Sequence, residues 1–271
     1  MTALRVATAN VNGIRAAERR GGLTWLADAN CDVICLQEVR ATRAQLEEAL
    51  SSSPLASWHI AHAEAPDKGR AGVAVLTKDE PVAVRDEVGH AGMDGLGRWI
   101  EADLITDVGP LTVVSAYVHT GEADTPKQVD KYAFLDAMDA RLDQLKRSAA
   151  SRKGHALVCG DFNVAHREVD IKNWKGNLGK AGFLEDERAY LDRWFAQKWV
   201  DLGRHLGGEG PGPYTWWSWR GQAFDNDAGW RIDYQSATPG LADRATAARV
   251  GRAPSYAERW SDHAAVVVDF A

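Results

Sequence analysis

The ends of four apolar runs in this chain carry acids, amides or an imidazole. Residues 4–9 lead into Asn10, residues 33–37 into Glu38, and residues 156–159 into Gly160-Asp-Phe-Asn163, while Ser261-Asp-His263 stands directly before the run 264–270. Hard divalent cations prefer carboxylate oxygens, keep most of their waters and need few protein ligands. One or two such acids therefore suffice, and the constellation matters more than any spacing. Asp161 and Asn163 lie two apart, which in an extended chain puts them on one side. The acid can then orient or deprotonate a water, and the amide can donate to a phosphate oxygen. The same pair also fits an Asx turn capping the segment that follows. His263 and Asp262 are adjacent, so on a strand they point apart, and another acid must orient the imidazole. Asp233, in Arg231-Ile-Asp-Tyr234, is the candidate. A buried acid beside a histidine favours the imidazolium, which can stabilise charge on phosphoryl oxygens. Taken singly, Glu38 also reads as a solvated strand-end acid and His263 as a satisfied surface histidine. Taken together, the residues suit a divalent metal held beside a phosphodiester.

Other chemistries lack their signatures: there is no GxSxG, no Walker loop and no HExxH. The glycine-rich stretch from Gly207 to Gly212 contains Pro211 and has no Lys-Ser/Thr sequel, so it reads as a flexible loop.

These side chains need a scaffold that brings strand ends to one rim. Strand-like runs fall at 4–9, 33–37, 72–77, 99–105, 111–118, 156–160, 231–236 and 264–270, and helical patterns at 15–29, 43–50, 126–147 and 185–197. In the third helix Leu135, Met138, Leu142 and Leu145 recur at spacings of three and four, and Pro126 suits its first turn. Segments 99–105 and 111–118 flank a Thr-Asp-Val-Gly-Pro cluster and read as an antiparallel hairpin. Hairpins among βα alternation imply mixed sheets packed on each other with helices outside. The longest irregular stretches, 86–97, 163–184 and 203–229, are candidates for functional loops. With no repeat and no long linker, the chain reads as one domain over 1–271.

Composition narrows the class. At 45% hydrophobic and 26% charged residues the chain has ordinary globular content. No apolar run approaches the roughly 18 residues of a membrane helix, and the N-terminus has no basic leader followed by a long apolar segment; both point to the cytoplasm. Cys31, Cys35 and Cys159 form no CxxC pair and read as buried reduced thiols. The net charge of −6 argues against non-specific coating of nucleic acid. A local basic rim of Arg15, Arg40, Lys175, Lys180, Arg220 and Arg231, with Lys172, can still meet phosphates. The stretch from Tyr214 to Arg220 carries aromatics on both faces, some for packing and some for a ligand.

The ordered set Asn10-Val-Asn-Gly-Ile-Arg15, Leu36-Gln-Glu-Val39, Ser115-Ala-Tyr-Val118, Gly160-Asp-Phe-Asn-Val164, Gly229-Trp-Arg-Ile-Asp-Tyr234 and Ser261-Asp-His263 resembles the exonuclease III family of apurinic/apyrimidinic endonucleases, in the endonuclease/exonuclease/phosphatase superfamily. The resemblance implies an α/β fold, a four-layer sandwich of two packed mixed β-sheets flanked by helices. It implies Mg²⁺-dependent cleavage 5′ to an abasic site in double-stranded DNA, with Mn²⁺ as a substitute, and 3′→5′ exonuclease or repair of blocked 3′ ends. It further implies a monomer of the bacterial type, acting on the nucleoid and on no membrane. Carried over by motif, the metal site is drawn from Asn10, Glu38, Asp161, Asn163, Asp262 and His263. Tyr117 approaches the scissile phosphate, Asp161 activates water, Asn163 positions water and phosphate, and His263, oriented by Asp233, contacts the phosphate. Arg15, Asn177, Trp216, Arg220 and Trp230 bind substrate. The chain departs from the pattern at Asn12, at Val118-His-Thr-Gly121 and at Lys180. Two rival classes are a superfamily phosphodiesterase for lipids, inositol phosphates or unmodified DNA, and a binding module without catalysis.

Overall fold

The computed structural model describes residues 3–271; Met1 and Thr2, which begin the N-terminal stretch read above as lacking a leader pattern, lie outside them. The strands are β1 (Leu4–Asn10), β2 (Val33–Gln37), β3 (His59–Ala63), β4 (Val73–Thr77), β5 (Ala83–Arg85), β6 (Trp99–Thr106), β7 (Gly109–Tyr117), β8 (His155–Asp161), β9 (Val200–Asp201), β10 (Asp233–Ala237), β11 (Ala245–Val250) and β12 (Val266–Phe270). The helices are α1 (Ile14–Arg19), α2 (Gly22–Asp28), α3 (Arg43–Ser51), α4 (Pro126–Ser151), α5 (Glu185–Ala196), α6 (Leu202–Gly207) and α7 (Pro239–Ala242).

Two six-stranded sheets run β11-β12-β1-β2-β4-β3 and β5-β6-β7-β8-β10-β9. Each contains one parallel pair, β1 with β2 and β7 with β8, and its other pairings are antiparallel. The expected four-layer sandwich of mixed sheets is the fold observed. Period-two alternation builds it. Val6, Val33 and Cys35 face the second sheet and pack with Val113, Leu157 and Cys159. Their neighbours Ala7, Ile34 and Leu36 face outward onto Leu23, Leu26 and Leu46 of α2 and α3. On the far side Val114 and Val158 meet Leu135, Met138 and Leu142 of α4 and Trp194 of α5. All three cysteines are buried and free.

The expected hairpin pairs Trp99 with Ala116 through Thr106 with Gly109. The expected helix over 15–29 is two helices. The chain breaks at Gly21, whose φ of 81° is left-handed, a conformation that costs glycine nothing. A Cβ on Gly22 would sit 2.8 Å from the Trp260 ring, so that helix starts against an aromatic wall. The edge strands β3, β9 and β11 were not expected from the sequence. β11 (Ala-Thr-Ala-Ala-Arg-Val) is half-exposed and lacks the β-branched run that marks a strand; it is held by pairing with β12. No helix among the described residues is long and apolar enough to cross a membrane.

The topology directs chemistry to one end. β1 and β2 are parallel, and Asn10 ends the first while Glu38 follows the second. β7 and β8 are parallel, and Tyr117 is paired with Asp161 at their shared C-terminal end. Antiparallel β10 starts at that end, with Asp233 opposite Asp161. The segment carrying His263 enters β12, antiparallel to β1.

Candidate active site

The backbone around these residues is unusual. Asn12, Glu38, Arg40 and Asn163 have φ values of 47°, 49°, 51° and 50°, a region that costs a non-glycine residue on the order of 1 kcal/mol or more. Loop hydrogen bonds hold it in place. Gly13 N donates to Glu38 O at 2.8 Å, Val39 N to Gly72 O at 2.9 Å, and Val11 N to Gln37 O at 3.0 Å. Asn163 therefore does not reach its place by extended i, i+2 spacing. Its N–H donates to Asp161 Oδ1 at 2.9 Å, the Asx turn, and its side-chain Nδ2 lies 3.2 Å from Asp161 Oδ2 and 3.0 Å from Val118 O. Turn and shared facing coexist.

Glu38 and Asp161 are bridged by the Asn10 amide, whose Nδ2 donates to Glu38 Oε1 and to Asp161 Oδ2, each at 2.9 Å. Tyr117 Oη donates to the same Glu38 oxygen at 2.9 Å, and the other Glu38 oxygen is ion-paired with Arg40. His263 Nδ1 stands 2.9 Å from Asp233 Oδ2, and its Nε2 faces Asp161 Oδ2 at 3.7 Å. Burial alone would push the imidazolium down, but the Asp233 and Asp161 carboxylates outweigh it and raise His263 to about 10. It is therefore cationic at neutral pH, with Nδ1–H given to Asp233 and Nε2–H directed at Asp161. Burial, with Asp233 and Glu38 nearby, raises Asp161 to about 7 against the opposing pull of His263. Burial also pushes the Tyr117 phenol far above its usual range, reinforced by Glu38 and Asp161, so it remains a donor.

Glu38, Asp161 and His263 can each offer one ligand atom, and these atoms lie within 4.8 Å of one another. The two carboxylates suit a hard cation. His263 lies within that cluster by distance, and the Asp233 and Asp161 carboxylates, which favour its imidazolium against burial, also fit it for its other expected role as a donor to the phosphate. The other expected ligands are placed differently. Asn10 turns its NH₂ toward the carboxylates while its Oδ1 accepts from Asn12 N at 3.0 Å. Asn163 likewise presents its amide nitrogen. Asp262 accepts from Asn12 Nδ2 at 2.7 Å and from Trp216 Nε1 at 3.1 Å, outside the three-residue cluster.

A cavity of about 320 Å³ is lined by Glu38, Asp161, Asn163, Asp262 and His263, with Trp216, Trp230 and Ile232 as apolar walls. The two indoles meet edge to face at 6.1 Å. Gly182 packs beneath Trp230, where a Cβ would sit 2.8 Å from the ring. Tyr214 and Trp217 belong instead to a separate buried cluster with Phe224, so the aromatic stretch divides between packing and the cavity. A larger open groove of about 1070 Å³ runs beside Pro126, Tyr132 and Leu178, away from the converging polar groups.

Other expected substrate residues lie outside the cavity lining. Arg15 is exposed and shares a neighbouring cleft with Arg19 and Arg40. Arg220 is exposed on a bend four residues after Trp216. Asn177 donates to Asn173 O at 2.8 Å. Arg231 is not part of a basic rim: it is 3% exposed and ion-paired with Asp170 at 2.6 Å and Asp201 at 2.8 Å, because its strand start is covered by the loop that carries Asp170. Arg40 is half-buried and spends its charge on Glu38.

Arg98 is a site residue that no motif marks. Its guanidinium lies 4.7 Å from the Tyr117 ring centroid and donates to Tyr117 O at 3.2 Å. The available signal is positional: it immediately precedes β6, whose partner β7 ends at Tyr117.

Comparison with known proteins agrees with this geometry. The sequence pattern of the Endonuclease/Exonuclease/phosphatase family matches residues 7–263. An exodeoxyribonuclease of Bacillus subtilis (strain 168) is 34% identical over 236 residues, covering 87% of this chain and 88% of that protein. Among solved structures, an AP endonuclease from Archaeoglobus fulgidus superposes with a TM-score of 0.85 at 27% identity, over 98% of this chain and 99% of that one. A 3′-5′ exonuclease from Neisseria meningitidis gives 0.84 at 27% identity over the same shares. With its carboxylates, imidazolium and paired indoles gathered at one end of a double-sheet sandwich, this chain belongs to the endonuclease/exonuclease/phosphatase family, in its exonuclease III branch of hydrolytic nucleases.

Proposed function

We propose that the chain is a single nuclease domain that hydrolyses the phosphodiester 5′ to an abasic site in duplex DNA with a divalent cation, Mg²⁺ first and Mn²⁺ as a substitute, and removes nucleotides or blocking groups from 3′ ends. The observation that carries this reading is one cavity combining two metal-suited carboxylates, a cationic histidine and two indole walls. Glu38, with Asp161, would hold the cation, which supplies charge neutralisation at the phosphoryl group and the leaving oxygen. Asp161 takes a proton from water, and the water oxygen attacks phosphorus. The P–O3′ bond breaks, the upstream 3′-oxygen leaves as a hydroxyl by taking a proton from solvent water, and Asp161 returns its proton to solvent. The His263 imidazolium, held by Asp233, and the Asn163 amide donate to phosphoryl oxygens as their charge grows. Tyr117 and Asn10 fix the Glu38 carboxylate, and Asp262 fixes the Trp216 indole. Arg15, Asn177 and Arg220 would meet the duplex outside the cavity, by phosphate contacts that position it.

The test is incision of a duplex bearing one abasic analogue, beside an unmodified duplex, with Mg²⁺ and with EDTA. EDTA is expected to abolish incision, and Glu38→Gln to raise sharply the Mg²⁺ concentration needed for half-maximal rate. Full activity of Glu38→Gln at low Mg²⁺ would remove Glu38 from the site. Equal cleavage of both duplexes would favour a general phosphodiesterase, and no cleavage a binding module.

Specificity follows from the walls. A bare deoxyribose has no base to unstack and is cheaper to extrude than a normal nucleotide. A cavity of about 320 Å³ lies at the small end of ligand pockets, which suits a sugar without its base. Trp230→Ala is expected to lower abasic incision while normal-nucleotide cleavage falls less or rises. If Trp230 serves packing alone, the melting temperature drops and the ratio of the two rates stays fixed in the folded protein.

A further inference from the structure

Three of the segments lining the cavity, at Thr120, Asn163 and Ala181-Gly182, are tied to one ion pair that does not touch it. Lys131 on α4 and Glu187 on α5 are each 0% exposed and 2.6 Å apart. An ammonium has three N–H donors and a carboxylate about four acceptor positions, and here all are used. Lys131 Nζ reaches Glu187, donates to Asn163 O at 2.8 Å and donates to Thr120 O at 3.2 Å. Glu187 Oε2 accepts from Gly182 N at 2.6 Å and Leu184 N at 3.1 Å, and Oε1 also accepts from Gln128 Nε2 at 2.9 Å. The loops are further joined by Ala165 N donating to Gly182 O at 2.8 Å.

A buried ion pair is a weak source of net stability, since well-packed apolar residues of similar volume often replace it without loss. Directional bonds to three loop backbones are what an apolar pair cannot supply. We propose that Lys131 and Glu187 are positioning residues that fix the mutual spacing of the Thr120, Asn163 and Gly182 segments, and through Gly182 the seat of Trp230, so that the cavity accepts a bare sugar. This inference rests on the abasic-nuclease reading of the site.

The experiment compares the unaltered protein with Lys131→Met/Glu187→Met and with Glu187→Gln, which keeps the side chain's size and one acceptor oxygen. Readouts are thermal melting, kcat and KM with Mg²⁺ on abasic and unmodified duplexes, and hydrogen exchange over residues 178–184. Misplacement of about 1 Å can cost about 10²-fold in rate. The double variant is expected to fold but to melt somewhat lower, since Gly182 N–H and Gln128 Nε2 lose their buried acceptor, and in the folded protein to lose about tenfold or more in kcat with much less change in KM, to discriminate less between the duplexes, and to exchange faster at Gly182 and Leu184. A folded double variant with unaltered kcat, ratio and exchange would reduce the pair to a structural role and overturn the proposal. If the double variant does not fold, Glu187→Gln decides by the same readouts, with a fall in kcat expected and an unaltered kcat overturning it. Failure of the unaltered protein to incise the abasic duplex would sink the abasic reading instead. The exchange rates of Gly182 and Leu184 then decide the pair alone.

Discussion

Asp161→Asn is expected to lower the turnover number for abasic incision by at least about 10²-fold, the lower range for loss of a general base, with the fold intact. The carboxylate accepts from Asn163 N at 2.9 Å and Asn10 Nδ2 at 2.9 Å, so its orientation is set before substrate arrives. Burial and the neighbouring Glu38 and Asp233 charges raise it to about 7, near the pH where a base is most effective. An amide keeps the shape and cannot take the proton. The sign for stability follows from the same shift. A carboxyl raised in the folded state is more easily ionised in the unfolded chain, so its ionisation costs stability as pH rises from the ordinary value through about 7. Asp161→Asn should therefore melt no lower than the unaltered protein at pH 8. Unaltered turnover in this variant would end the assignment of Asp161 as base.

His263→Asn is expected to cost about 10²-fold or more in turnover, as for loss of a donor to developing negative charge. Asp233→Asn should cost less, because it removes the charge that holds the imidazolium and leaves the imidazole in place. The two differ in pH dependence. With the imidazolium raised to about 10 against the lowering effect of burial, its positive charge is present through neutral pH and is lost as pH rises through that value. Without the Asp233 carboxylate, 2.9 Å from Nδ1, the imidazolium is less favoured, and the alkaline limb of kcat should move to lower pH. An alkaline limb that stays in place in Asp233→Asn would show that another group titrates there.

The pair Lys131–Glu187 bears on both variants. Its ammonium binds the Asn163 carbonyl, and Asn163 in turn donates to Asp161 through backbone and side chain. Loss of the pair would loosen the partner of the proposed base without touching its chemistry, which is why a kcat effect measured in the folded protein is the diagnostic outcome.

The sequence by itself determined the scaffold and the chemistry-bearing strand ends. Alternation in residues 4–10 and 33–37 places Val6 and Cys35 inward and Ala7 and Ile34 outward, because side chains on a strand point to opposite faces in turn. The hairpin signal at the turn cluster before Pro110 and the amphipathic Leu135-Met138-Leu142 row were enough for sheets packed on each other with helices outside, and the family resemblance supplied the two-sheet, four-layer arrangement. Adjacent residues on a strand point apart, which was enough to look beyond Asp262 for the partner of His263, and Asp233 stands there at 2.9 Å. Only the tertiary structure decided which charges meet. Arg231 reads in sequence as one more surface cation, yet Asp170, sixty-one residues away, and Asp201 bury it. Arg98 and Arg40 reach Tyr117 and Glu38 through strand pairing and a left-handed turn that no local pattern records. Lys131 occupies the amphipathic α4 as an ordinary polar residue, and its burial exists only because α5 brings Glu187 to it. Local periodicity reports which way a side chain points. A charge's partner depends on contacts between segments far apart in sequence, and those are fixed only when the sheets and helices pack.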